Sequence, residues 1–312
     1  VNTVEIENVT KRFGKLTAVN DLSLGVPRGS VYGFIGPNGS GKTTTLRMIM
    51  NIFYPDSGRI RLFGEPMTGP VTDRIGYMPE ERGLYKKMKV RELLRFYGAL
   101  KNGKDVRREA DRWLERLALA DWGNRKIETL SKGMSQKVQF IATVVARPEL
   151  VILDEPFSGL DPVNADAIRG AILELRDAGT TVLFSTHDMS VAEKMCDFIC
   201  MIFRGEKVLD GTLASIQDRY GNDTVRVRIE DDASRLAGLP HVEKVTDFGR
   251  EQELRLAREA DTQEILSAIV KRTRVRGFDV VRPSLHDIFV RIAGPAASEA
   301  KAAETAAAGV SA

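Results

Sequence analysis

Eight consecutive residues, Gly36-Pro37-Asn38-Gly39-Ser40-Gly41-Lys42-Thr43, carry the spacing G-x-x-x-x-G-K-[ST] that cradles the phosphates of a nucleoside triphosphate. Glycines at 36, 39 and 41 permit backbone torsions that a side chain forbids, so successive N–H groups can turn inward around a β-phosphate at the positive end of a helix. Lys42 adds a mobile charge for the β- and γ-phosphates, and the Thr43 hydroxyl is placed to ligate Mg²⁺. The expected contacts to ATP from this segment are Gly36, Asn38, Gly39, Ser40, Gly41, Lys42, Thr43 and Thr44. Such a loop must join a strand to a helix. Val31–Ile35 is an apolar run of buried-strand type and Thr44–Met50 continues as a helix, so the context is met.

A second cluster of chemistry lies downstream. Leu150-Val151-Ile152-Leu153-Asp154-Glu155-Pro156 is an apolar strand ending in two carboxylates, the Walker B arrangement of P-loop ATPases. Asp154 at the strand tip would hold Mg²⁺ through water, and Glu155 can face the γ-phosphate and position or deprotonate the attacking water.

The elements that must position these groups follow from the hydrophobic pattern. Alternation in Val4–Val9 and Leu22–Val26 predicts two half-exposed strands of an antiparallel sheet. Val31–Ile35, Leu150–Leu153 and Thr181–Ser185 predict buried parallel strands, each followed by a helical stretch. Between the first two of them, Val90, Leu93, Leu94 and Tyr97, then Ala110, Trp113, Leu114 and Leu117, have helical spacing and predict a helical insertion over about residues 81–146. The fold class expected is α/β, a P-loop ATPase core with an antiparallel β subdomain and a helical insertion, plus a small C-terminal α+β domain. We place the first domain at 1–220 and break it at Gly221-Asn222-Asp223. The second, 223–292, has alternation at Val225–Ile229 and Glu253–Leu256, an amphipathic stretch at Thr262–Arg272 and a strand at Phe278–Val281. Residues 293–312 are alanine-rich without an apolar face and are expected to be disordered.

The 29% charged residues balance to only +3, so charge gives no reason to invoke a nucleic acid partner. No apolar run approaches the ~18 residues of a membrane span, and Val1-Asn2-Thr3-Val4 leads straight into a strand pattern, so we expect a soluble cytoplasmic chain. Cys196 and Cys200 lie four apart in the apolar segment Met195–Phe203, with too few partners for zinc, and are expected to be packed thiols.

Leu130-Ser131-Lys132-Gly133-Met134-Ser135-Gln136, set before a helical stretch and about twenty residues ahead of Asp154, resembles the LSGGQ signature of the ATP-binding cassette (ABC) transporter family. The order of P-loop, signature, Walker B and histidine switch is similar to that family throughout residues 4–220. Ser131 and the N–H groups near Gly133 would sit at a helix N-terminus, a good γ-phosphate receptor. The resemblance implies that two copies pack head to tail and that each signature completes the partner's ATP site. It also implies that Asp161, in Ser158-Gly159-Leu160-Asp161, belongs to a loop crossing that interface. His187 in Ser185-Thr186-His187-Asp188 would hydrogen-bond the γ-phosphate and keep Glu155 and water in line, and Phe13 would stack on adenine. The partner implied besides the second copy is a separate transmembrane permease, which would hold the chain at the cytoplasmic face of the membrane.

Two departures stand out. Glu80 replaces the usual glutamine of the Q-loop in Ile75-Gly76-Tyr77-Met78-Pro79-Glu80-Glu81-Arg82-Gly83-Leu84-Tyr85; a carboxylate can approach Mg²⁺ but cannot donate to water. Lys132 and Met134 replace glycine and glutamine of the signature. With the C-terminal run Ser284–Val290, these resemble an exporter subgroup that includes sodium-extrusion-type subunits. The expected function is that of an ATPase subunit energising a permease, an exporter; the alternative is a soluble regulatory ATPase of the same type, uncoupled from transport. A ribosome-type protein would carry two cassettes, a chromosome or repair ATPase a coiled coil between Gly36 and Ser131, and a GTPase an N-K-x-D motif; none occurs.

Overall fold

In the structure, a computed structural model, residues 1–294 are described except 67–68, 82, 103–104, 221–222 and 258–259. The chain divides into two compact units between Thr212 and Leu213.

In the first unit, β1 (Asn2–Phe13) and β2 (Leu16–Pro27) form a long hairpin, followed by β3 (Val31–Ile35), α1 (Lys42–Ile49), β4 (Ser57–Leu62), β5 (Glu65–Pro66) and β6 (Ile75–Met78). Three helices then come in sequence, α2 (Val90–Asn102), α3 (Arg107–Arg116) and α4 (Lys132–Val144). The unit closes with β7 (Leu150–Asp154), α5 (Pro162–Asp177), β8 (Thr181–Thr186), α6 (Met189–Met195), β9 (Phe198–Phe203) and β10 (Glu206–Gly211). The strands make two sheets, an antiparallel one in the order β2-β1-β4-β5 and a six-stranded one in the order β10-β9-β3-β8-β7-β6. In the second sheet only β10 runs antiparallel.

Both faces of that sheet are buried, which is why its central strands are continuous apolar runs. Successive side chains alternate between two cores, as a period of two requires. Val151, Leu153, Val182 and Phe184 pack with Leu94, Trp113, Phe140 and Ile172 of the helices. Leu150, Ile152, Leu183, Tyr32 and Phe34 face the other way, with Leu46 and Ile49 of α1 and with Val4, Ile6 and Leu22 of the antiparallel sheet. The P-loop, between β3 and α1, and Asp154, at the end of β7, therefore emerge at the carboxyl ends of two parallel strands that flank β8, where open α/β sheets bind ligands. Cys196 and Cys200 form no disulfide, and burial pushes both thiols well above their ordinary range.

The second unit holds α7 (Leu213–Tyr220), β11 (Thr224–Ile229), β12 (Val242–Asp247), β13 (Gln252–Leu256), α8 (Thr262–Val270), β14 (Val275–Val281) and a helix over residues 285–294. Its antiparallel sheet has the order β12-β13-β11-β14, and Val225, Val227, Leu254 and Leu256 pack on Ile265 and Ile269 of α8. The boundary falls earlier than the predicted break at 221–223. Residues 213–220 form a helix on the C-terminal side of it, with Ile216 buried and the Gln217 amide donating to the Pro283 carbonyl at 3.0 Å. The Arg291 guanidinium grips Asp223 at 2.9 and 3.0 Å, tying the last helix to the start of β11. Gly221, Asn222 and the tail from residue 295 lie outside the described residues.

Candidate active site

The P-loop is shaped by approaches that only glycine permits. Gly36, at φ +154°, would drive a Cβ into the Ile202 carbonyl, and Gly41, at φ +107°, would drive one into the Ala18 carbonyl. Lys42 opens α1 and folds back over the loop, donating to the carbonyls of Gly36 (2.7 Å) and Pro37 (3.1 Å) and lying 3.8 Å from Glu155 Oε1. Burial draws its ammonium below the ordinary lysine range, an effect opposed by the carboxylates of Glu155, Asp154 and Glu80.

Asp154 is only 1% exposed. Its Oδ1 accepts from the hydroxyls of Ser185 (2.5 Å) and Thr43 (3.2 Å), while its buried Oδ2 has no hydrogen-bond partner among the described residues. A buried carboxylate oxygen left unpaired is costly unless a cation satisfies it, so Asp154 Oδ2 beside the Thr43 hydroxyl fits a hard divalent ion such as Mg²⁺.

Glu155 follows at φ +49°, a left-handed conformation costing a non-glycine residue about 1–2 kcal/mol. The turn is held from both sides. Glu155 N–H donates to the Ser185 carbonyl (3.2 Å) and hydroxyl (3.1 Å), and the carboxylate oxygen Oε1 lies 3.0 Å from His187 Nδ1. The result is a buried carboxylate between a cation and a histidine, the geometry a general base for water requires.

These groups open onto a cleft of about 580 Å³, lined by Phe13, Asn38, Gly39, Gly41, Lys42, Thr43, Thr44, Glu80 and Glu155. That size suits a small-molecule ligand, for which roughly 300–1,000 Å³ is usual. Ser40 is buried beneath the loop, and Phe13, 43% exposed, meets Phe53 edge to face at 5.5 Å.

Ser131, Gly133 and Asp161 do not line this cleft. They gather at the N-termini of α4 and α5. The Ser131 hydroxyl caps α4 by accepting from Met134 N–H (3.2 Å), and Asp161 caps α5 by accepting from Asn164 N–H (2.9 Å). Asn164 also packs on Gly133, where a Cβ would sit 2.7 Å from its amide nitrogen. Helix α4 starts at Lys132, inside the signature rather than after it, because the Ser131 cap pays for the poor helix former Gly133. The Lys132 ammonium lies against Gly159, on the loop leading to Asp161.

Three features were not picked out from the sequence as parts of the site. Ser185 joins Asp154 to the Glu155 backbone, a role for which a hydroxyl at a strand end is the only sequence signal. Leu16, Thr17 and Ala18 from β2, and Arg204 and Gly205 from the β9–β10 turn, complete the cleft wall.

The two-sheet fold, the P-loop and the Asp154–Glu155–His187 arrangement define an ATPase of the cassette type. Residues 19–158 match the ABC transporter family model, and residues 211–293 match that of the ATP-binding protein DrrA1-3-like, C-terminal domain. The chain is 40% identical over 291 residues to the ABC transporter ATP-binding protein YhaQ of Bacillus subtilis strain 168, covering 93% of this chain and 98% of that protein. It is 33% identical to the Nod factor export ATP-binding protein I of Burkholderia lata, over 94% of this chain and 98% of the other. A solved structure of an ATP binding subunit of an ABC transporter superimposes with a TM-score of 0.66 at 30% identity, covering 70% of this chain and 93% of that one. The chain belongs to the ABC transporter ATP-binding proteins: it is an ATPase subunit that energises a separate permease.

Proposed function

We propose that this chain drives export by hydrolysing Mg-ATP in the cleft above α1, with Glu155 as the base that activates water. The observation carrying this is the buried Glu155 carboxylate, fixed in a strained turn between Lys42 and His187. Lys42 exchanges the Gly36 and Pro37 carbonyls for β- and γ-phosphate oxygens, and His187 holds Glu155 and the γ-phosphate in line. Mg²⁺, bound by Thr43 and Asp154 with Glu80 in reach of it, would neutralise charge on the phosphates. Phe13 stacks on adenine, so Phe13→Ala should weaken ATP binding by about 1–2 kcal/mol in calorimetric titration. Unchanged affinity would remove Phe13 from the site.

Because Ser131, Gly133 and Asp161 gather outside the cleft, they are offered to a second copy, whose γ-phosphate Ser131 and the α4 N-terminus would receive. Association with the permease would hold the chain at the cytoplasmic face of the membrane. Export is supported by the likeness to a Nod factor export protein and to DrrA-like C-terminal domains. The likeness to sodium-extrusion-type subunits rests on Glu80, Lys132, Met134 and Ser284–Val290. It points to the direction of transport, whereas the cargo is chosen by the permease.

The permease contact is placed on the segment Glu80–Val90 and α2. Leu84 and Met88 lean on the helical core, but Tyr85 is 54% exposed and stacks edge to face on Phe96 at 5.6 Å, with Leu100 exposed on the same helix as Phe96. Apolar residues clustered in a charged surface mark an interface. Tyr85→Glu, assayed with the permease in vesicles, should abolish ATP-driven transport while hydrolysis by the isolated chain stays within about twofold, as for other surface changes. Equal loss of both activities would mean a folding defect and leave the contact elsewhere.

A further inference from the structure

Arg204 occupies the β9–β10 turn at φ +53°, a left-handed conformation in which glycine or asparagine is the ordinary choice. The turn is clamped to the nucleotide cleft by its own backbone. Gly205 N–H donates to the Ser40 carbonyl of the P-loop at 3.0 Å, and the Gly205 carbonyl accepts from Asn20 N–H at 2.9 Å. Gly205 also packs on the Ala18 carbonyl, which is the group that Gly41 of the P-loop faces. The root of the Arg204 side chain therefore stands where the P-loop meets the wall that runs through Thr17 toward Phe13.

Charge supplies the second argument. Among the described residues lining the cleft, the cations are Lys42 and Arg204 and the anions are Glu80 and Glu155, with the Asp154 carboxylate buried beneath. A triphosphate brings three to four negative charges into this setting, and Glu80, standing where glutamine is usual, adds one more. Lys42 lies deep in the P-loop and serves the terminal phosphates. A nucleotide stretched from Phe13 to Lys42 would bring its α-phosphate past the turn that carries Arg204, which lines the cleft wall and whose guanidinium lies 5.2 Å from the Phe203 ring, and a guanidinium is the side chain best matched to phosphate oxygens.

We propose that Arg204 binds the α-phosphate of ATP and offsets the charge that Glu80 adds to the cleft. The proposal rests on the reading of this cleft as the ATP site. Arg204→Gly tests it well, because glycine accepts the positive φ and the fold should keep or raise its melting temperature. Calorimetric titration with Mg²⁺ present should show the Kd for ATP and for inorganic tripolyphosphate each rising about tenfold, the size of one charge-assisted hydrogen bond. Pyrophosphate, too short to reach past the β- and γ-positions, should bind the variant and the parent alike. Arg204→Lys, which keeps the charge, should recover part of the loss for the two longer ligands.

Three results would overturn the assignment: ATP affinity unchanged by Arg204→Gly, ATP weakened with tripolyphosphate unaffected, or pyrophosphate weakened as much as ATP. The second would put the guanidinium on the ribose or base, and the third would mean a disturbed P-loop. A parent chain that binds none of the three ligands would refute the ATP-site reading itself, a failure distinct from any of these.

Discussion

Glu155→Gln should cut steady-state phosphate release by at least ~10²-fold, the contribution of a positioned general base. The amide is nearly isosteric and keeps the hydrogen bonds of the Glu155 backbone to Ser185, so the turn at φ +49° survives. What it loses is the capacity to take a proton, and what it removes is a buried negative charge 3.8 Å from Lys42. ATP affinity should therefore be kept or improved, because one carboxylate facing the γ-phosphate is neutralised. Glu80, exposed at the cleft, is the other carboxylate that could serve the water. If it does so in part, Glu155→Gln combined with Glu80→Gln will be slower than Glu155→Gln alone. Release at the parent rate by the single variant would take the role of base away from Glu155.

Lys42→Ala should do the reverse, losing binding first. The ammonium is 6% exposed, and removing one member of a buried, hydrogen-bonded charge set costs about 2–5 kcal/mol, so the Kd for Mg-ATP should rise by about 30-fold or more. Glu155, Asp154 and Glu80 would then face the phosphates without the ammonium whose charge they now share. Lys42→Arg should not rescue, since a planar guanidinium cannot fold into the space where Nζ meets the Gly36 and Pro37 carbonyls. Equilibrium titration with a fluorescent ATP analogue reads this directly. A Kd within threefold of the parent would mean that the P-loop amides alone hold the nucleotide.

The chemistry was legible in the sequence where burial on both faces leaves an unbroken apolar strand. Val31–Ile35 and Leu150–Asp154 are of this kind, and each delivers its functional residues directly from the strand end. Positions set by contacts distant in sequence were not legible. Strand β10, Glu206–Gly211, is a partly exposed edge without clean alternation, so nothing in its pattern signals the β9–β10 hairpin or the Arg204 turn it carries. Strand β12, Val242–Asp247, is also an edge strand of mixed polarity. Strand β6 has four residues and includes Gly76, which lies under the Thr143 carbonyl of α4; neither its length nor its composition signals a strand. The domain boundary moved for a related reason. Polar residues at 221–223 mark a break in pattern, but the preceding helix is fixed by the burial of Ile216 and by Gln217, whose partner Pro283 lies far along the chain.

With ATP bound in the P-loop cleft, the Ser131 end of a second copy should complete the site. Light scattering on Glu155→Gln, with and without Mg-ATP, tests it most directly. With ATP the variant should elute at twice the 34.5 kDa mass of the chain, and without nucleotide at the chain mass. Adding Ser131→Arg, which puts a bulky side chain at the α4 cap, should return the ATP-bound variant to monomer. A Glu155→Gln chain that binds ATP at saturation yet stays monomeric at every concentration would mean that no second copy completes the site.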